Sequence, residues 1–312
     1  WNTLPVRARA VANSKGLDQA CVIALSSTAK PAIKVAGTPD LTFGCGVMSE
    51  SPLDPSTKLS GSGTITMTNG ATVASVGVTQ VGNNFNVNSI ASNVNSPGDP
   101  LSTLAMPTPS TSTNCYQGST LGVGVGPCGD HSNETPSGEA YQPGVYCGGI
   151  QISGGNGTFS PGMYILAGGD LKITTTGTLT GSGITFYLTG TTGWNCSKNG
   201  KAGGVSMSGQ ATVNWSAPTT GTYAGILLFE DRADTTVPKS TINGGSNSTI
   251  DGAIYMPNTD LNFSGNSSVN GYMMVIADQV TLTGNTTMGI LTFPPDFANN
   301  FPAFAKWVTI AE

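Results

Sequence analysis

Six related β-rich segments recur in the second half of the chain. They are "IQISGG" from Ile150, "LKITTT" from Leu171, "VSMSGQ" from Val205, "STINGG" from Ser240, "LNFSGN" from Leu261 and "VTLTGN" from Val280. Several neighbouring copies are spaced by roughly 20 residues, the period of a chain that winds in repeated short strands. The longer intervals hold inserts, "TGTTGWNCSKNGKAG" and a stretch containing "AGILLFEDR". Just before the first two copies, Pro-Gly-x-Tyr is duplicated in "PGVYCGGIQISGG" and "PGMYILAGGDLKITTTG". Gly and Asn at the corners tolerate left-handed backbone, and Pro-Gly sets a turn before each strand.

This pattern predicts an all-β chain whose main body is a right-handed parallel β-helix. Alternate residues point inward, so Ile150 and Ile152 stack over Leu171 and Ile173, and Tyr146 and Tyr164 take equivalent places. "LPVRARAVANSKG" predicts a short capping helix over residues 6–12, stopped at Gly16. The tail "FPPDFANNFPAFAKWVTIAE" places Phe293, Phe297, Phe301, Phe304 and Trp307 as cover for the other end of the core. An antiparallel β-sandwich is the alternative, since short strands and Gly-rich turns suit it too. Residues 1–94 form a β-rich segment, 95–140 a Pro/Ser/Thr-rich linker or long loop, and 141–312 the repeats and tail. The first and last are expected to make one continuous domain.

Charged side chains are only 9% of the 312 residues, and the net charge is −5. With no basic cluster beyond "VRARA", nucleic acid is excluded as a partner. There is no apolar run of about 18 residues to span a membrane. The chain begins at Trp1, and any anchor or export signal is expected upstream.

Cys21, Cys45, Cys115, Cys128, Cys147 and Cys196 lack the short paired spacing of a zinc site. With a single His, they predict disulfides and an oxidising compartment. The expected pairs are Cys21 with Cys45, Cys115 with Cys147, and Cys128 with Cys196.

"AVANSKGLDQACVIALSSTAKPAIKVAGTPDLTFGCGVMSES" resembles the start of the extracytoplasmic part of TadG-like proteins of bacterial tight-adherence (Tad/Flp) pilus-assembly systems. The Pro-rich "DPLSTLAMPTPSTSTNCY", the Pro-Gly-x-Tyr block, "SAPTTGTYAGILLFEDR", "IDGAIYMPNTDLNFSG" and "VTIAE" follow in the same order. The resemblance implies an envelope-associated role linked to surface pili and adhesion, and brings no catalytic residues. The family's N-terminal anchor segment is not in this sequence.

Parallel β-helices can carry polysaccharide-cleaving sites, which need paired carboxylates facing a groove. Glu230 and Asp231 in "FEDR" are the only dense acidic pair, but they alternate across a strand. A strand-end salt bridge of Glu230 with Arg232 is the expected role. Asp251, Asp260 and Asp278 are expected in turns. His131, Asp130 and Glu134 share one polar loop, and the two carboxylates are the candidate Ca²⁺ ligands, without EF-hand spacing. No cofactor is expected. Outward Thr, Ser, Asn, Gln and Lys vary from repeat to repeat, which suits sugar or surface contacts better than a regular ice-binding array.

The expectation is therefore an extracellular or envelope-exposed structural or adhesive protein that self-associates or joins other surface or pilus proteins. A polysaccharide lyase or glycosidase, and a non-catalytic glycan-binding adhesin, are the alternatives.

Overall fold

The computed structural model describes residues 20–109 and 140–291, with 11–13 and 309–311. Short breaks fall at 195, 197–198, 208–210, 237, 244–247, 265–267, 271–272 and 285–286. Among these residues there is no helix, and one 26-stranded sheet holds almost every strand. Every strand pair described within it is parallel, so the antiparallel sandwich does not hold.

The strands form three parallel ladders. The first contains Gly144–Cys147, Gly162–Ala167, Ile184–Thr189 and Ile226–Glu230. The second contains Ile150–Ile152, Leu171–Ile173 and Val205–Met207. The third contains Ala140–Tyr141, Gly157–Phe159, Thr178–Ser182 and Thr212–Ser216. The chain visits third, first and second in the same cyclic order, circuit after circuit. The long strand Ser248–Phe263 crosses all three ladders in one run.

The recurring segments are the rungs of the second ladder. Ile150 pairs with Leu171, Leu171 with Val205, Ser240 with Leu261, and Leu261 with Val280. Their inward side chains join Phe159, Leu179 and Val213 of the third ladder and Tyr164, Phe186 and Leu188 of the first in one buried core. Phe159, Phe186 and Trp215 meet there, with ring centroids 5.0–5.6 Å apart.

The duplicated Pro-Gly-x-Tyr motif is offset from the expected stacking. Tyr146 pairs with Leu166 and Gly144 with Tyr164, a slip of two residues that keeps both tyrosines on the inner side. Gly162, at φ 140°, lies so close under Pro143 that an added Cβ would be 2.6 Å from the proline ring. The two hydroxyls still do the same work. Tyr146 donates to Gln142 O at 2.7 Å, and Tyr164 Oη lies 2.7 Å from Ser160 O, tying down the corner four residues upstream.

The order of the stack is not the order of the chain. Above the strand Met273–Gly284, the next circuit is N-terminal: Val22–Ala24 pair with Val275–Ala277, and Ile33–Gly37 with Val280–Gly284. Asp40–Phe43 then lies on Thr287–Leu291. Two further circuits reach Thr79–Val81, Asn86–Val87 and Ile90–Ser92. The N-terminal circuits thus end at the top of the stack, whereas Ala140 stands at its base.

Val11–Asn13 is a strand antiparallel to Thr309–Ala311, where a helix was expected. A few alternating apolar residues suit either state, and β-branched Val11, Thr309 and Ile310 favour the strand. Residues 1–10 and the aromatic tail before Thr309 lie outside the described residues.

Cys21 pairs with Cys45, as expected. Cys147 pairs with Cys196, which corrects the other two pairings. The reason is the insert before the third rung: Trp194 packs on the outer side of the first ladder, which carries Cys196 to the outward-facing Cys147. Cys115 and Cys128 lie outside the described residues. Two disulfides fit a secreted or envelope protein, and no helix among the described residues is long and apolar enough to cross a membrane.

Candidate functional site

The first ladder is buried on both faces. Its inner side feeds the core, and its outer side carries a second apolar cluster including Ile23, Met48, Ile165, Tyr187, Phe229, Tyr255 and Ile276. Continuous apolar runs such as "ITFYL" and "ILLFE" are what a doubly covered strand requires. Part of the cover is the Pro- and Ser-rich stretch after Asn95. Leu101 is 1% exposed, and Leu104 and Met106 pack beside it.

Side chains pin this strap, because its backbone makes few bonds. Ser96 donates to Glu50 at 2.9 Å near the top of the stack. Tyr255 donates its hydroxyl to Asp99 at 2.6 Å. Arg232 donates to Leu101 O at 3.0 Å and to Leu104 O, with its guanidinium 5.8 Å from the Phe229 ring centroid. Lower down, Tyr223 donates to Ala105 O at 3.0 Å.

Arg232 therefore serves the strap and does not pair with Glu230. Glu230 is fully buried, inward beside Leu188 in register. Its carboxylate accepts from Asn258 N at 2.8 Å and from the Thr259 hydroxyl. Burial pushes its pKa up to about 7, against the lowering effect of those two bonds. Asp231 accepts from the Thr189 hydroxyl at 2.7 Å and from Ala233 N at 2.9 Å. Neither carboxylate lines a groove with the other, so the pair has the geometry of a structural anchor, not of an acid and a nucleophile.

Asp251, Asp260 and Asp278 sit within strands, not in turns. Asp260 is joined by Lys239 at 3.0 Å and by Gln279. The cyclic order accounts for this correction: Ser248–Phe263 and Met273–Gly284 run through the corners without leaving strand geometry. Asp130, His131 and Glu134 lie outside the described residues. Among the described residues no group of three or more His, Cys, Asp or Glu is placed to hold a metal ion.

Among the described residues, an open groove of about 510 Å³ lies on the outer face of the third ladder. Register aligns Thr158, Thr180, Asn214 and Thr249 in one outward column. Ser182, Ser216 and Asp251 make a second. Hydroxyls touch within each: Thr158 and Thr180 at 3.2 Å, and Ser216 to Ser182 at 3.1 Å. Phe159 and Trp215, which alternate with these positions along the strands, point inward into the core. Period-two alternation marks the hydroxyl and amide side chains as outward in the sequence, but their alignment rests on long-range register.

Comparison with protein-family models, curated proteins and solved structures finds no match to this chain.

Proposed function

We propose that the chain is an extracellular or envelope-exposed structural and adhesive protein, built as a right-handed parallel β-helix that associates end to end with further copies or with other surface or pilus proteins. One observation carries this reading. At each end of the described stack, all three ladders finish in strands that pair on one side only: Thr79–Val81, Asn86–Val87 and Ile90–Ser92 at one end, Ala140–Tyr141, Gly144–Cys147 and Ile150–Ile152 at the other. Unpaired strand edges recruit new strands, and parallel ladders at both ends suit head-to-tail addition. Ile90, on a terminal strand, is 42% exposed. Low charge leaves little repulsion between copies.

The resemblance to TadG-like proteins supports the same placement, as do the disulfides. A polysaccharide-cleaving role has less support, because Glu230 is locked inside and Asp231 is held by Thr189.

Size-exclusion chromatography and negative-stain imaging at rising concentration test the reading. Linear assemblies that Ala91→Pro abolishes are expected. Monomers alone at high concentration would contradict it.

A further inference from the structure

Glu230 and the strap lie on opposite faces of the first ladder, yet a continuous run of contacts joins them. Glu230 is fully buried beside Leu188, on the core side. Its carboxyl is met by Asn258 N at 2.8 Å and by the Thr259 hydroxyl. The Asn258 side chain then turns to the corner that follows Glu230. Its Nδ2 is shared among the carbonyls of Asp231, Arg232 and Asp234, at 3.3, 3.2 and 3.2 Å. From that corner Arg232 reaches outward and donates to Leu101 O and Leu104 O of the strap.

The path has room to move. Asn258 and Thr259 sit where the register of Ser248–Phe263 against Met273–Gly284 shifts, between Met256 and Asp260. Asp231, Arg232 and Asp234 are only half-buried and Ala233 is exposed, so water lies one corner away from the buried carboxyl. Around Glu230, strand Ile184–Thr189 offers Leu188, strand Ser248–Phe263 offers Asn258 and Thr259, and its own corner offers two acids, Asp234 and Asp231. Among the described residues no cation pairs with it. A neutral carboxyl suits this place. A carboxylate there is short of solvent and repelled by both acids, and its relief is to move toward the water at the corner, through the position Asn258 holds.

We propose that Glu230 is a proton-controlled latch on the strap: its ionisation frees Asn258, slackens the corner 231–234 and withdraws Arg232 from Leu101 O and Leu104 O, so that residues 101–106 lift from the first ladder while the ladders stay paired. The corner and strap are the two-state element that couples a buried carboxyl to the outer face. Burial lifts the Glu230 pKa to about 7. The closed form therefore binds the proton more tightly than the open form, and the latch is shut in acid and opens as pH rises through about 7. The device goes beyond the adhesive reading and uses neither end of the stack.

Hydrogen exchange on the full chain tests it, at about pH 5.5, 7 and 8.5, with rates corrected for the intrinsic effect of pH. Protection at residues 101–105 should fall at least tenfold over this range, with a midpoint near 7, and should lie well below that of Ile184–Thr189 throughout. Glu230→Gln should remove the step. Asn258→Ala keeps the carboxyl but cuts its link to the corner, so the strap should exchange fast at every pH. Glu50 is also raised by burial and holds Ser96 of the strap, but Glu50→Gln should leave the step at 101–105 in place. A step that survives Glu230→Gln, a native step retained in Asn258→Ala, a step abolished by Glu50→Gln, or strap protection equal to that of the ladders would each overturn the latch. Should Glu230→Gln fail to fold by circular dichroism, the native profile and Asn258→Ala decide the matter.

Discussion

Val22 and Val275 are register partners on adjacent parallel strands, although they come from opposite ends of the chain. The stack is therefore closed by contacts that no local folding event supplies. Ile23, 3% exposed on the outer side of this junction, should report on the whole body. Ile23→Ala should cost about 2–5 kcal/mol, the usual range for truncating a buried Ile. The loss should appear as one transition in urea, at the same midpoint by circular dichroism and by the fluorescence of Trp194 and Trp215 in the C-terminal circuits. Two separate transitions would count against the junction.

The strap is held by few groups. Tyr255→Phe removes the bond to Asp99, and Arg232→Ala removes the donors to Leu101 O and Leu104 O. Losses of about 1.5–3 kcal/mol are expected for each, since Asp99 and Arg232 are both charged, with the second the larger because two bonds are lost. Hydrogen exchange should quicken at residues 101–105 before it quickens in the ladders.

Glu230 gives the fold a pH dependence of stated sign. Its folded pKa, about 7, stands above the ordinary value of 4.5 because burial disfavours the charged form. The folded state thus holds the proton more tightly than the unfolded chain. The resulting stabilisation is complete below pH 4.5 and is lost as pH rises through about 7. Glu50 and Asp278 are raised by burial as well and act in the same direction. Urea midpoints should fall between pH 5 and pH 8, and Glu230→Gln should flatten much of that fall.

Peptide mapping without reduction should recover Cys21 linked to Cys45 and Cys147 linked to Cys196. Replacing Cys147 and Cys196 together by Ser should loosen the insert around Trp194 and lower stability by about 2–4 kcal/mol. A peptide joining Cys147 to Cys115 would contradict this connectivity.

How much of this was legible in the sequence depends on the range of the contact. The second ladder was plain, because Ile150, Leu171, Leu261 and Val280 stand in the same β-rich context and meet in register. The double burial of the first ladder was signalled by its unbroken apolar runs, but alternation elsewhere drew attention to polar outer faces. The strap was obscured by composition: Pro and Ser read as linker, and only Leu101, Leu104 and Met106 betray a packed side. The N-terminal circuits on top of Met273–Gly284 had no local signal, since pairing across most of the chain leaves no spacing to read. The groove had the same obstacle, its columns being made by register between inserts of unequal length.

That junction is the central claim, and cross-linking tests it most directly. Lys34 and Thr281 are register partners on neighbouring strands. With Lys34→Cys and Thr281→Cys introduced together, mild oxidation of the folded monomer should join them, since adjacent strands lie about 4.8 Å apart, within the usual reach of a disulfide. Mass spectrometry should find the linked peptide within one chain. A Lys34→Cys, Lys172→Cys control should not link. If the first pair also fails to link within one chain while native circular dichroism is retained, the N-terminal strands do not lie on Met273–Gly284 and the account of the stack is wrong.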